Sequence, residues 1–169
     1  MRFLIIYFFL LTCSLADEIT SIKNLVINKD LKKYDDLTFL DAKGKQLNLK
    51  DHKGNLILLN FWATWCAPCK EEMPSLDLLQ SNKDLNNLKI FPINVGQDNI
   101  QKSSKFFEDL KIQNLELYFD SKITLAKTFG LRGIPTSILF NKEGLEFARI
   151  IGSIDFADEK FIEWLKNYN

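Results

Sequence analysis

One histidine, two methionines and three cysteines stand among 169 residues, and 22 basic side chains balance 22 acidic ones. Each shortage excludes something. A chain with no net charge lacks the electrostatic footprint of a nucleic-acid binder. Three cysteines cannot build the framework of a small disulfide-stapled domain. A closed zinc site takes about four ligands, and beyond Cys66 and Cys69 the chain offers only His52 and Cys13, so neither metal nor cofactor is expected. The apolar run at residues 3–11 falls short of the roughly 20 residues of a spanning helix. No repeat, low-complexity tract or interdomain linker interrupts the chain, and 46% hydrophobic and 12% aromatic residues supply one domain core.

At the start, Arg2 precedes that apolar run, and Ser14-Leu15-Ala16 places small residues where a signal peptidase cuts. The expectation is a secretory signal at residues 1–16 and a periplasmic protein, membrane-tethered if the signal is retained. Cys13 follows Leu10-Leu11-Thr12, a poor lipoprotein signal because Thr12 is bulkier than the small residue wanted there. Removal of the signal leaves two cysteines, both in one motif. In an oxidising compartment, a lone close pair reads as an exchanging disulfide rather than a staple.

Residues 17–35 are polar and lysine-rich around Leu25-Val26-Ile27 and read as a loose or partly helical extension. Residues 37–40 and 46–49 flank Asp41-Ala42-Lys43-Gly44-Lys45, which predicts a β-hairpin. His52 falls in the polar turn after it and reads as solvated. Residues 89–95 suit a buried strand despite Pro92, residues 99–110 a helix with Phe106 and Phe107 inward, and residues 117–119 a short strand. A helix over 123–129 stops at Gly130. A strand after Pro135, a turn at Asn141-Lys142-Glu143-Gly144 into residues 145–151 that makes a second hairpin, and an amphipathic helix over 156–168 carrying Phe161, Ile162, Trp164 and Leu165 complete a mixed sheet covered by helices.

Residues 56–79 organise the rest. The apolar run Leu56-Ile57-Leu58-Leu59-Asn60-Phe61 leads into Trp62-Ala63-Thr64-Trp65-Cys66-Ala67-Pro68-Cys69 and then a helical pattern. Two cysteines three apart at a helix start lie one turn from each other on one face, so their sulfurs can meet. Unpaired N–H groups and the helix dipole favour a thiolate at Cys66, the expected nucleophile. Pro68 suits a first helical turn, whereas Pro74 lies inside the helix and predicts a kink. A structural cysteine pair is the alternative, and Glu71 and Glu72 alone read as solvated charges.

The stretch Leu59-Asn60-Phe61-Trp62-Ala63-Thr64-Trp65-Cys66-Ala67-Pro68-Cys69-Lys70-Glu71-Glu72-Met73-Pro74, with Asn94-Val95-Gly96 and Gly133-Ile134-Pro135-Thr136 downstream, resembles the thioredoxin superfamily in its exported TlpA/ResA-like branch. The resemblance covers residues 36–169. It implies a thioredoxin-like α/β fold, with an N-terminal hairpin and a helix-strand insertion between the CxxC helix and the Ile-Pro strand. Asn60 stands where ordinary thioredoxins carry a buried aspartate, so the resemblance passes proton acceptance to Glu72. It also implies that Pro135 is cis and packs on the disulfide, that Ile134 pairs with an extended substrate, and that Trp65 borders the same groove, with Trp62 in the core.

These readings together describe a monomeric thiol-disulfide oxidoreductase. The absence of histidine between the cysteines leaves the Cys66 thiolate without the stabilisation that strong oxidants use, which favours a reductant. By resemblance, the client is a disulfide-containing protein, apocytochrome c foremost, and the electron donor is a membrane thiol-redox protein. The rivals are a DsbA-like oxidant and, from another class, a Sco-like copper carrier. A carrier of that kind needs CxxxC and a nearby histidine. Peroxidase chemistry is disfavoured by cysteine spacing.

Overall fold

The computed structural model describes residues 22–169. The expected signal at 1–16 and Cys13 lie outside the described residues. In chain order the elements are β1 (Leu25–Lys32), β2 (Thr38–Asp41), β3 (Gln46–Asn48), β4 (Leu56–Trp62), α1 (Ala67–Gln80), β5 (Leu88–Asn94), α2 (Ile100–Asp109), β6 (Tyr118–Phe119), α3 (Thr124–Thr128), β7 (Thr136–Phe140), β8 (Glu146–Ile151) and α4 (Glu159–Lys166). They build one mixed sheet in the order β1-β8-β7-β4-β5-β6-β2-β3, the α/β architecture expected of the chain. Among the described residues, no helix is long and apolar enough to cross a membrane.

β4 lies between β5, parallel to it, and β7, antiparallel to it. All seven of its residues are buried, which is why it reads as a nearly continuous apolar run rather than an alternating one. Successive side chains still point to opposite faces. Leu56, Leu58 and Trp62 join the core that holds the cysteines, Met73, Leu76 and Phe161. Ile57, Leu59 and Phe61 join a second core with Phe91, Leu125, Phe129 and Phe140 on the other face. Asn60 therefore falls on the α1 side of the sheet. Pro92 is accommodated in β5 because β6 pairs only with Ile93 and Asn94, so one side of the strand carries no ladder up to that point.

Two readings are corrected. The loose or partly helical stretch within residues 17–35 contains the edge strand β1, paired with β8 through Leu25–Ile150, Val26–Arg149 and Ile27–Ala148. Its side chains are largely exposed, so the strand has no periodic apolar face and is held by its partners. His52 ends a single 3-10 turn, Leu49–His52, and is half-buried with its ring 4.9 Å from that of Phe91. Burial, and then the nearby Lys89 charge, push its pKa down.

The β1 end of the sheet is locked by Glu146, whose side chain is wholly buried. Arg149 reaches it through two nitrogens at 2.8 and 2.9 Å, Tyr34 donates at 2.7 Å and Asn28 at 2.8 Å. Burial pushes the Glu146 pKa up, but these hydrogen bonds outweigh it and hold the group below its usual range. The resulting stabilisation is present above the ordinary carboxylate pKa and is lost as pH falls through the depressed value. Arg149→Ala removes the two-nitrogen contact and leaves this carboxylate only the half-exposed Lys32, 3.7 Å away. It is expected to lower the unfolding free energy by about 3 kcal/mol, the lower end for a broken buried pair, in urea titrations at neutral pH. A loss of under about 1 kcal/mol would reduce the pair to the rank of a surface ion pair.

Candidate active site

β4 runs out at Trp62, and the chain turns through Ala63 to Cys66, where the Cys66 N–H closes the turn on the Ala63 carbonyl at 3.2 Å. α1 begins at the next residue with Pro68 in its first turn, where a missing N–H leaves no helical bond unmade. Cys66 is the N-cap, and its Sγ accepts the Cys69 N–H at 3.3 Å. The two cysteines form a disulfide with Cα atoms 5.3 Å apart. Their exposures differ, 5% for Cys66 against 0% for Cys69. Only Cys66 meets the surface.

One turn beyond Cys69, Glu72 lies on the buried side of α1, while Glu71 is exposed. Glu72 is 2% exposed and accepts a 2.7 Å hydrogen bond from Asn60 Nδ2. The same amide nitrogen donates to Ser137 Oγ at 3.0 Å across the β4–β7 pair. Glu72 Oε2 and Asn60 Oδ1 have no hydrogen-bond partner. Burial pushes the Glu72 pKa up to about 7, against the smaller lowering influence of the Asn60 amide and the Ile154 N–H. Glu72 also lines a cavity of about 820 Å³ between α1 and the segment before α4, together with Ser75, Ser153, Ile154 and Asp158.

The third part comes from the far strand. The Ile134–Pro135 peptide bond is cis, as the resemblance implies. Because Phe61 is registered with Thr136, Pro135 lies beside the end of β4, where the cysteine turn begins. Ile134 is half-buried against the core cluster that contains both cysteines. Trp65 is 65% exposed and Trp62 wholly buried, as their sequence positions suggested. His52 lies at the opposite end of β4, which spans roughly 20 Å at about 3.3 Å per residue, so the structure does not bring it to the cysteines.

Sequence reasoning missed Asp98. Its carboxylate, 3% exposed, accepts from the Thr64 N–H at 2.9 Å and the Thr64 hydroxyl at 2.8 Å, tying the loop after β5 to the cysteine turn. Gly96 belongs to the same contact. A Cβ there would stand 2.5 Å from Ala63 Cβ and 3.1 Å from Trp65 Nε1, closer than packed atoms tolerate. The only signal in the sequence was the Asn94-Val95-Gly96 element two residues earlier. Nothing local marks an aspartate that acts 34 residues away.

The buried carboxyl makes a stability prediction. An acid whose pKa rises on folding stabilises the folded state below its ordinary value of about 4.5, and that contribution is lost as pH rises through about 7. Glu72→Gln cannot ionise. The difference in melting temperature between the oxidised variant and the oxidised parent is expected to grow in the variant's favour across that interval and to level off above it. A constant difference would mean that Glu72 ionises at its ordinary pKa.

The AhpC/TSA family model matches residues 31–145. The thiol-disulfide oxidoreductase ResA of Bacillus thuringiensis subsp. konkukian is 31% identical over 134 residues, 75% of this chain and 70% of that protein. The ResA of Geobacillus thermodenitrificans is 30% identical over 125 residues, 74% and 71% of the two chains. Among solved structures, StoA from Bacillus subtilis matches with a TM-score of 0.63 at 27% identity, over 79% of this chain and 96% of that one. The pneumococcal exposed lipoprotein thioredoxin from Streptococcus pneumoniae, with a TM-score of 0.66 at 24% identity over 79% and 99% of the chains, shares the fold. On the family match and these relatives, the chain belongs to the AhpC/TSA family and, within it, to the thioredoxin-like thiol-disulfide oxidoreductases.

Proposed function

We propose that this oxidoreductase works as a monomeric reductant of protein disulfides in an exported, periplasmic compartment, with the haem-site cysteines of apocytochrome c as its client. The reading rests on one arrangement above all. A surface-reaching Cys66 at a helix N-terminus is backed by a fully buried Cys69, with a buried carboxyl, Glu72, one turn further along the same face.

In the proposed cycle the Cys66 thiolate attacks one sulfur of the client disulfide. A mixed disulfide forms and the other client sulfur leaves as a thiolate. Cys69 then gives its proton to Glu72 and attacks Cys66 Sγ, which releases the second client thiolate and leaves the Cys66–Cys69 disulfide. A membrane dithiol re-reduces the pair, taking over the disulfide in exchange. Trp65, Ile134 and Pro135 frame the groove in which an extended client segment lies, and the Ile134 backbone offers it strand-like pairing. The Glu72 carboxyl suits proton acceptance because burial brings its pKa up to about 7, close to the working pH that general-base catalysis favours.

Three measurements test this. The reduction potential of the Cys66–Cys69 pair is expected at or below about −250 mV, on the thioredoxin side of the range. A value near about −120 mV, like that of DsbA, would reverse the direction of electron flow. With a disulfide-closed Cys-x-x-Cys-His peptide, Cys69→Ser is expected to accumulate the mixed disulfide. Glu72→Gln is expected to slow turnover by about a hundredfold, the lower end of what general acid-base catalysis contributes. An unchanged rate from about pH 6 to about pH 9 would remove Glu72 from the proton transfer.

A further inference from the structure

We infer that Asp98 is a positioning residue for client recognition: by holding Thr64 it fixes the Trp65 wall of the groove beside Cys66. The inference rests on the proposed role of Trp65 as that wall.

The carboxylate of Asp98 is buried and fully used. Oδ2 accepts from the Thr64 N–H at 2.9 Å and Asn94 Nδ2 at 3.0 Å, and Oδ1 accepts from Thr64 Oγ1 and Lys102 Nζ, each at 2.8 Å. Four donors fill the roughly four lone-pair sites of a carboxylate. Thr64 is the second residue of the turn closed by Cys66 N–H on Ala63 O, and Trp65 is the third. Holding Thr64 by both backbone and side chain restricts the turn at the residue that carries the indole.

Trp65 itself is 65% exposed and has little packing of its own to orient it. Its Nε1 approaches the space left by the missing Gly96 side chain, and Asp98 Oδ2 lies 2.9 Å from the same point. The loop after β5 therefore serves as a backstop for the indole. Asp98 makes no hydrogen bond to either cysteine, whereas Cys66 Sγ is held from within α1 by the Cys69 N–H. The two tasks are separate: α1 conditions the sulfur and Asp98 orients the wall.

The reduced protein and its Asp98→Ala, Asp98→Asn and Trp65→Ala variants are compared in their second-order rates with two disulfides. One is glutathione disulfide, and the other is the disulfide-closed Cys-x-x-Cys-His peptide in an extended segment. Asp98→Ala is expected to slow the peptide about tenfold, a moderate effect on the scale of misplaced groups, with the glutathione rate changed by less than about twofold. Asp98→Asn retains an oxygen for the Thr64 N–H and is expected to recover most of the loss. Trp65→Ala is expected to slow the peptide at least as much as Asp98→Ala does, and the double variant to lose no more on the peptide than Trp65→Ala alone, since both act through one wall.

Equal losses on both disulfides would overturn the inference, because Asp98 would then act on the sulfurs or on the fold. A normal Asp98→Ala beside an impaired Trp65→Ala would overturn it while leaving the groove intact. A normal Trp65→Ala would overturn the groove itself and this inference with it. Should Asp98→Ala fail to fold, Thr64→Val removes only the hydroxyl contact and carries the same test. A peptide-selective loss of about threefold supports the inference, on the same positional grounds, and an unchanged peptide rate overturns it.

Discussion

The 2.7 Å hydrogen bond from Asn60 to Glu72 joins the central strand of the sheet to the helix that carries both cysteines. Burying a carboxyl in an apolar layer is unfavourable unless polar groups meet it, and here the Asn60 amide makes the 2.7 Å hydrogen bond while the Ile154 N–H adds a smaller favourable influence on the charged form. An aspartate at position 60 would put two acids side by side, each opposing ionisation of the other. An amide avoids that conflict. It supports the carboxylate without competing for the proton, so a single group behind the disulfide titrates. Ser137, on the same face of β7, occupies the second hydrogen of the amide and sets its orientation.

Topology gathers the remaining parts at one edge. β4 and β5 are parallel, so both end on the same side, and antiparallel β7 begins there. The cysteine turn follows β4, the Gly96–Asp98 loop follows β5, and the cis Ile134–Pro135 bond precedes β7. Ligands of open α/β sheets meet the carboxyl ends of strands for this geometric reason. Three loops distant in sequence thus meet at the edge of the sheet where the cysteine turn lies. The single histidine follows the hairpin and precedes β4, and so belongs to the other edge, packed on Phe91.

Much of this was legible before any coordinates. The cysteine pair, the proline in the first helical turn and the two hairpins are local features, decided by residues within a few positions of each other. Phe106, Phe107, Phe161 and Trp164 announced the buried faces of α2 and α4 by their spacing, and all four are buried. β1 was not legible, because its side chains stay largely exposed and its order comes from β8 and from Glu146 at a separation of more than 100 residues. His52 looked solvated for a similar reason: the Phe91 ring that covers it arrives from another strand. Asp98 was hidden in an unremarkable polar loop.

By itself the sequence determined the redox motif, its place between a buried strand and a helix, and the α/β class, because these depend on short-range spacing and on the pattern of apolar residues. Tertiary structure alone decided which glutamate is buried, which sulfur meets the surface, and which distant side chains hold the turn between them. Burial, hydrogen-bond partnership and the resulting proton affinity of Glu72 are properties of an environment. That environment exists only once β4, α1, β7 and the loop after β5 have packed together.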